Sequence, residues 1–270
     1  MIKLIASDLD GTLLNSKKEI SEKCVSNIKK FIQNNNYFVM CSGRPKYRVE
    51  KYLSLLNVYS FNQYYIGFNG ALVFDVKNNK PIYSATLSRI EANMIVEIAK
   101  EHDVCVSIYT FDTVYTEKIS NYVIDNRIYE GVNVVMCDDL LKVKLNGDIY
   151  KVLFVDEPSK ISRIRALLDE KLYEKYSIVS SAPHYAEFMN KLTSKGKALE
   201  LLCNYLNVNL ENVMAFGDAE NDLSMLEVIS YNVAMENSEA KVKDICKYHT
   251  LGNDNDGVNY IIEKLLREEF

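Results

Sequence analysis

The sequence predicts an α/β protein: a doubly wound parallel-sheet core interrupted by an inserted α+β domain. Three observations carry this. Short apolar runs alternate with amphipathic helix patterns near both ends of the chain. That rhythm breaks between about residues 83 and 187, where short strands and helices follow one another without it. The apolar runs outside that stretch close on small polar clusters, among them Asp8-Leu9-Asp10-Gly11, Ser42-Gly43 and Gly217-Asp218.

Ile2, Leu4 and Ile5 read as a buried strand that ends at Asp8. Residues 21–34 read as a helix with Val25, Ile28, Phe31 and Ile32 on one face. Residues 37–41 form a second apolar strand, followed by a helix with Val49, Tyr52, Leu53 and Leu56 in register. A third strand, 64–68, ends at Asn69-Gly70. Strand, helix, strand, helix, strand implies right-handed crossovers and a parallel, Rossmann-like sheet. Residues 71–74 and 81–84 then read as a hairpin, and Ser88 with Glu91 forms a capping box for a helix continued by Ile90, Met94 and Ile98. Within the changed rhythm the clearest elements are a strand at 149–155, a helix after Pro158 and a strand at 177–181. The reading is a core domain of residues 1–82 and 187–270 and an inserted α+β domain of residues 83–186. The core pattern resumes with a helix opened by Lys195-Gly196-Lys197, with Ala198, Leu201, Leu202 and Tyr205 on one face. Strands at 213–216 and 233–235 and a helix over 256–267 complete it.

Bulk properties narrow the function. A formal net charge of −5 gives no electrostatic footprint for nucleic acid, so an anionic ligand must be met by a few local cations. The six cysteines form no Cys-x-x-Cys pair and no Cys/His cluster with zinc spacing. No leader and no long apolar segment stand out, so the expectation is a cytoplasmic protein with reduced thiols, without membrane or nucleic-acid partners, monomeric or weakly dimeric.

Asp10-Gly11 alone would suit a hairpin turn, but a polar run and a helix follow it instead of a returning strand. At the end of a parallel strand, two carboxylates two residues apart can take different tasks once the backbone turns. Ser42-Gly43, Lys195-Gly196, and Asp218 with Asn221-Asp222 fall at comparable places, so one rim would collect a hydroxyl, backbone N–H groups, a lysine and further carboxylates. A phosphoryl group and a hard metal ion want that set. A calcium-loop reading of 218–229 fails, because its sixth position is Leu223 and its twelfth Ile229. A Walker reading of Lys195-Gly196-Lys197 fails because no Ser or Thr follows Lys197.

In order, Asp-x-Asp-Gly-Thr, Ser-Gly-Arg-Pro, Ser-Lys-Gly-Lys-Ala-Leu and Gly-Asp-x-x-Asn-Asp resemble the four motifs of the haloacid dehalogenase-like superfamily. The long insertion between the second and third resembles the α+β cap of its Cof-type phosphatases. Ser42 stands where Thr is common in that family and keeps the hydroxyl. The resemblance implies an aspartyl-phosphate on Asp8 and an acid/base role for Asp10. It implies Mg²⁺ held by Asp8, Asp218 and the Asp10 carbonyl, with Asp222 supporting the metal from behind. It assigns phosphate binding to Ser42, Lys195, Asn221 and the backbone near Leu9 and Gly43. The implied substrate is a small phosphorylated metabolite, sugar phosphates first.

Arg44 and Asn69, just past strand ends, are candidate substrate contacts, as are His184 and Glu187 near the return to the core. Cys41 reads as a small buried apolar residue. A phosphomutase of the phosphomannomutase type would want arginines in the insertion, and Arg127, Arg163 and Arg165 are present. A non-catalytic phosphometabolite-binding protein is the alternative outside enzymes.

Overall fold

A computed structural model of the chain describes residues 1–56, 61–120 and 133–270. It divides into two compact units: Met1–Gly43, Val49–Ser84 and Ser194–Phe270 form one, Arg44–Arg48 and Ala85–Thr193 the other.

The first unit begins with β1 (Leu4–Ser7), α1 (Glu22–Gln33), β2 (Tyr37–Cys41), α2 (Lys46–Leu55), β3 (Tyr64–Gly67), β4 (Leu72–Asp75) and β5 (Lys80–Ser84). In the second unit follow α3 (Arg89–Glu101), β6 (Cys105–Tyr109), β7 (Thr113–Thr116), β8 (Asn133–Met136) and β9 (Lys151–Val155). Its remaining elements are α4 (Pro158–Leu167), α5 (Glu170–Lys175), β10 (Tyr176–Val179) and β11 (Tyr185–Asn190). The chain then rejoins the first unit through α6 (Lys195–Leu206), β12 (Val213–Gly217), α7 (Leu223–Glu227), β13 (Tyr231–Ala234), α8 (Ala240–Ile245), β14 (Tyr248–His249) and α9 (Gly257–Leu266).

The first sheet runs β14-β13-β12-β1-β2-β3-β4-β5. All pairs from β14 to β3 are parallel, and β4 and β5 add an antiparallel edge. Every residue of β1 is buried, which is why it reads as a continuous apolar run. Ala198, Leu199 and Leu202 of α6 and Met225 and Leu226 of α7 cover Leu4, Ala6, Val39 and Ala215 on one face. Ser21 caps α1 by accepting from the Cys24 N–H at 3.0 Å, and Asn27 joins α1 to α9 through Asn259 at 2.9 Å. Truncating one of the large buried side chains here, Phe38 or Phe216, costs about 3–5 kcal/mol.

One helix stripe differs from the sequence reading. In α6 Leu201 and Tyr205 are exposed, while Leu199 and Cys203 are buried beside Ala198 and Leu202. Alanine adds little to an apolar pattern, so the larger side chains drew the stripe about one step off. In α3 Ile90 and Met94 face solvent, and Ala92, Ile95, Val96 and Ala99 form the buried face.

The second sheet runs β10-β11-β9-β6-β7-β8, antiparallel except for the β7–β8 pair. Helices α3 and α4 pack on one of its faces, against Val106, Ile108, Val152, Phe154, Ala186 and Phe188. This α+β unit has its own core and, apart from Arg44–Arg48, lies in sequence between the two parts of the parallel-sheet unit.

Candidate active site

Chain order reverses between β1 and β12, and Ser7 pairs with Phe216 in register. The loops that leave these two strands therefore start side by side, at the position where open α/β sheets bind ligands. After Asp8 the backbone bends: the Leu14 N–H donates to the Leu9 carbonyl at 2.8 Å, and Gly11 takes φ +83°. A Cβ on Gly11 would lie 2.4 Å from Asp218 Oδ2, so only glycine lets the two loops approach this closely. No strand returns from Asp10-Gly11; the loop closes on Asp218 instead. Thr12 Oγ1 donates to Asp218 Oδ1 at 2.6 Å, and Asn237 donates to the Gly11 carbonyl at 2.8 Å.

Asp8 is 5% exposed and Lys195 is fully buried. The Lys195 ammonium donates to Asp8 Oδ1 at 2.5 Å and to Asp222 Oδ1 at 2.7 Å. Lys195 is the first residue of α6, whose start is fixed by the Ser194 side chain accepting from the Lys197 N–H. The other oxygen of Asp222 accepts the N–H groups of Asp218 and Ala219, at 2.9 and 3.1 Å. One carboxylate thus orders both the lysine and the loop that carries Asp218.

One oxygen each from Asp8, Asp218 and Asp222 lies within 4.8 Å of the others. Carboxylates at that separation repel by roughly 3 kcal/mol per pair at a near-surface effective dielectric. Burial, reinforced by Asp222, Asp218 and Asp10, holds the Asp8 carboxyl well above the usual carboxylate range despite the opposing pull of Lys195. Burial and Asp222 push Asp218 up to about 7. Burial by itself would lower the Lys195 ammonium, but Asp222 and Asp8 outweigh it and raise it. Three carboxylates against one ammonium is a set that takes up protons or a cation. A hard divalent ion fits it, since the donors are all carboxylate oxygens. Asp222 already serves Lys195 and two backbone N–H groups, which leaves Asp8 and Asp218 better disposed to reach such an ion.

Asp10 points elsewhere. Its side chain is 40% exposed and accepts from the Lys18 ammonium at 2.7 Å. Ser42 is buried, its N–H held by the Ile66 carbonyl and its carbonyl by the Asn69 N–H at 3.0 Å. Asn221 donates from Nδ2 to Asn69 Oδ1 at 3.0 Å. The first unit therefore brings together Asp8, Asp10, Ser42, Gly43, Asn69, Lys195, Asp218, Asn221 and Asp222. Arg44, His184 and Glu187 belong to the second unit. There Glu187 is fully buried and paired with Lys151 at 2.6 Å, and it also accepts from Ser181. His184 lies edge-on to Tyr185, and burial lowers its imidazole below the usual value. Arg163 lies on α4, Arg165 donates to Ser180 at 2.8 Å, and Arg127 lies outside the described residues.

Sequence reasoning gave no role to Thr12 or Lys18. Thr12 carried a signal, since it stands inside the Asp-Gly-Thr motif. Lys18 stood in a polar run with nothing to separate it from surface lysines.

The family profile for haloacid dehalogenase-like hydrolases matches residues 5–262. The chain belongs to this family. A haloacid dehalogenase-like hydrolase from Bacteroides thetaiotaomicron has the same fold, with a TM-score of 0.87 and 29% identity, over 98% of this chain and all of that one. The TM0651 structure from Thermotoga maritima gives a TM-score of 0.80 at 32% identity, over 98% of this chain and 97% of that one. The chain is 30% identical to the 5-amino-6-(5-phospho-D-ribitylamino)uracil phosphatase YitU of Bacillus subtilis, over 99% of this chain and 97% of that protein. Within the haloacid dehalogenase-like family the chain is a Cof-type phosphatase, a phosphoric monoester hydrolase. Among the described residues, no helix is long and apolar enough to cross a membrane.

Proposed function

We propose that the protein is a Mg²⁺-dependent phosphatase that hydrolyses small phosphorylated metabolites, sugar phosphates first, through an aspartyl-phosphate on Asp8. The observation that carries this is the Asp8–Lys195–Asp222 chain at the switch point of the parallel sheet. Lys195 fixes one oxygen of Asp8, leaving the other to attack phosphorus. A carboxylate approaching a phosphate dianion is repelled by a few kcal/mol per charge pair at about 4 Å. The buried ammonium offsets part of this, and Mg²⁺ held by Asp8, Asp218 and the Asp10 carbonyl would supply the rest of the positive charge.

Ser42, Lys195, Asn221 and the N–H groups of Leu9 and Gly43 hold the phosphoryl oxygens. Asp10 leaves Lys18 to protonate the departing oxygen, then takes a proton from the water that hydrolyses the acyl phosphate. The covalent route divides one hard displacement into two easier ones. Asp222 works through its neighbours: it orients Lys195 and the N–H groups that shape the Asp218 loop. The inserted unit is the cap that selects the substrate, with Arg44 and His184 as candidate contacts, whereas the Glu187 carboxylate is occupied by Lys151 and Ser181.

YitU, by its name, acts on a phosphorylated ribityl chain, which supports a phosphorylated polyol or sugar as the substrate class. The test is a phosphate-release screen with Mg²⁺ across sugar phosphates, nucleotides, FMN and pyridoxal phosphate. Sugar or polyol phosphates should lead the ranking. No turnover of any monoester with Mg²⁺, or turnover that survives Asp8→Asn, would remove the reading.

A further inference from the structure

Asn69 has a conformation and a partner that together set it apart from a loop residue. Its backbone takes φ 55° and ψ 28°, the left-handed region that Asn tolerates better than most residues. Its side chain is buried at 2% exposure. Oδ1 accepts from Asn221 Nδ2, and the amide lies close to Gly43: a Cβ there would sit 2.9 Å from Asn69 Oδ1 and 3.2 Å from Nδ2. Its N–H holds the Ser42 carbonyl. The carboxamide therefore touches the Ser42-Gly43 turn and the Asn221 turn at once. Yet Nδ2, a buried donor, has no acceptor among the described residues. Buried donors are nearly always paired, and one left over beside an anion-binding turn points to an acceptor that arrives with a ligand.

We infer that the Asn69 carboxamide is a phosphoryl-oxygen ligand: Nδ2 donates to the transferring phosphate, and Oδ1 orients Asn221 so that both amides face the same anion. This deepens the phosphatase reading above and rests on it. The pairing also explains why position 43 needs glycine. A Cβ there would crowd the Asn69 amide and force it to shift.

The opposing explanation is that Asn69 is present only for its backbone. Asn69→Gly separates the two, because glycine adopts φ 55° freely and removes only the amide. In the full-length enzyme with Mg²⁺, p-nitrophenyl phosphate turnover and competitive inhibition by inorganic phosphate are measured for wild type, Asn69→Gly and Asn69→Asp. Asn69→Gly should raise the inhibition constant for phosphate and lower kcat/KM, each by about 10- to 100-fold, the usual reach of a hydrogen bond to a charged group. Asn69→Asp keeps an acceptor for Asn221 but replaces the donor with a negative charge, so its phosphate constant should rise further.

A double-mutant cycle with Asn221→Ala shows whether Asn69 acts directly. The loss from Asn69→Gly should persist in that background. A glycine variant within twofold of wild type, or a loss that vanishes once Asn221 is gone, overturns the inference. If the glycine variant does not fold, the aspartate variant decides, and a wild-type phosphate constant there overturns it equally. Wild-type turnover is the separate control: its absence removes the phosphatase reading itself.

Discussion

The Lys18 ammonium donates to the Asp10 carboxylate at 2.7 Å, eight residues further along the same loop. This pair holds the proposed proton-transfer group in one direction at rest. With side-chain exposures of 30% and 40% it adds little to stability, as exposed pairs typically contribute only about 0.2–1 kcal/mol. Lys18→Met should therefore leave Tm nearly unchanged. Because Asp10 must leave Lys18 to act, removing this partner should raise turnover of an alkyl phosphate, whose leaving group needs a proton, by about 3- to 10-fold, a fraction of what acid–base catalysis supplies. An aryl phosphate should be affected less, and Lys18→Arg should return both to wild-type rates. Equal changes on both substrates would show that the pair does not act through Asp10.

Asp8→Asn and Asp10→Asn should fail in different ways. An amide at position 8 cannot attack, so no covalent intermediate forms. An amide at position 10 spares the nucleophile but removes acid and base, each typically worth about 10² to 10⁴ in rate. With a good leaving group, formation suffers less than hydrolysis, so phosphate should accumulate on the peptide that holds Asp8. Mass spectrometry after an acid quench reads this directly. Label on Asp10 or on a histidine would reassign the nucleophile.

Asp218 ties the site to pH. Its carboxyl is pushed from an ordinary 3.8 up to about 7 by burial and by Asp222. Between those values the folded chain keeps a proton that the unfolded chain has released. Without metal, this group's contribution therefore falls as pH rises from about 4 to about 7 and is level above that. A divalent cation needs the ionised form, so its stabilising effect runs the other way. Mg²⁺ should raise Tm more at about pH 8 than at about pH 5.5, and Asp218→Asn should flatten that difference and abolish turnover. A Mg²⁺ shift in Tm independent of pH would count against the assignment.

Gly11→Ala should be more damaging than its size suggests. The residue sits at φ +83°, and the new Cβ would meet Asp218 Oδ2 at 2.4 Å. Backbone strain of this kind costs about 1–3 kcal/mol, and relief must come from moving the Asp218 carboxylate. The expected signature is a modest drop in Tm with a larger drop in Mg²⁺ affinity. A variant with reduced Tm but wild-type Mg²⁺ dependence would show that the loop relaxes in some other direction.

Replacing the inserted unit with a short linker should leave a core that hydrolyses an aryl phosphate but no longer discriminates among metabolites. An unchanged substrate ranking would show that selection resides in the parallel-sheet unit.

Much of this architecture was legible in the sequence because parallel strands are buried on both faces. Leu4, Ile5, Val39, Met40 and Met214 leave an unbroken apolar signal, and the polar residues that end each run then mark the rim. Helix α6 was less faithful. Leu201 and Tyr205 of α6 are exposed though they extend an apolar stripe, because the face that packs on the sheet is made partly of alanine and cysteine. The motifs placed the site's residues on one rim, but the individual side-chain contacts between them were not legible. Thr12 meets Asp218 across 206 positions, and Lys195 reaches Asp8 across 187. Such pairings follow from strand order, which local periodicity does not encode.

Strand order also sets a timetable for synthesis. β1 lies between β2 and β12 in the finished sheet, yet Ser7 is made long before its partner Phe216. At typical elongation rates of about 5–20 residues per second, roughly 10 to 40 seconds separate the two. During that interval the strand carrying Asp8 can pair on one side only and presents an apolar edge, the kind that invites pairing with another chain. The α+β unit, whose core residues run from Leu87 to Phe188, is complete before β12 exists. No molecule can therefore form the Asp8–Lys195–Asp222 chain until synthesis has passed Asp222, long after the strand that carries Asp8 has been made.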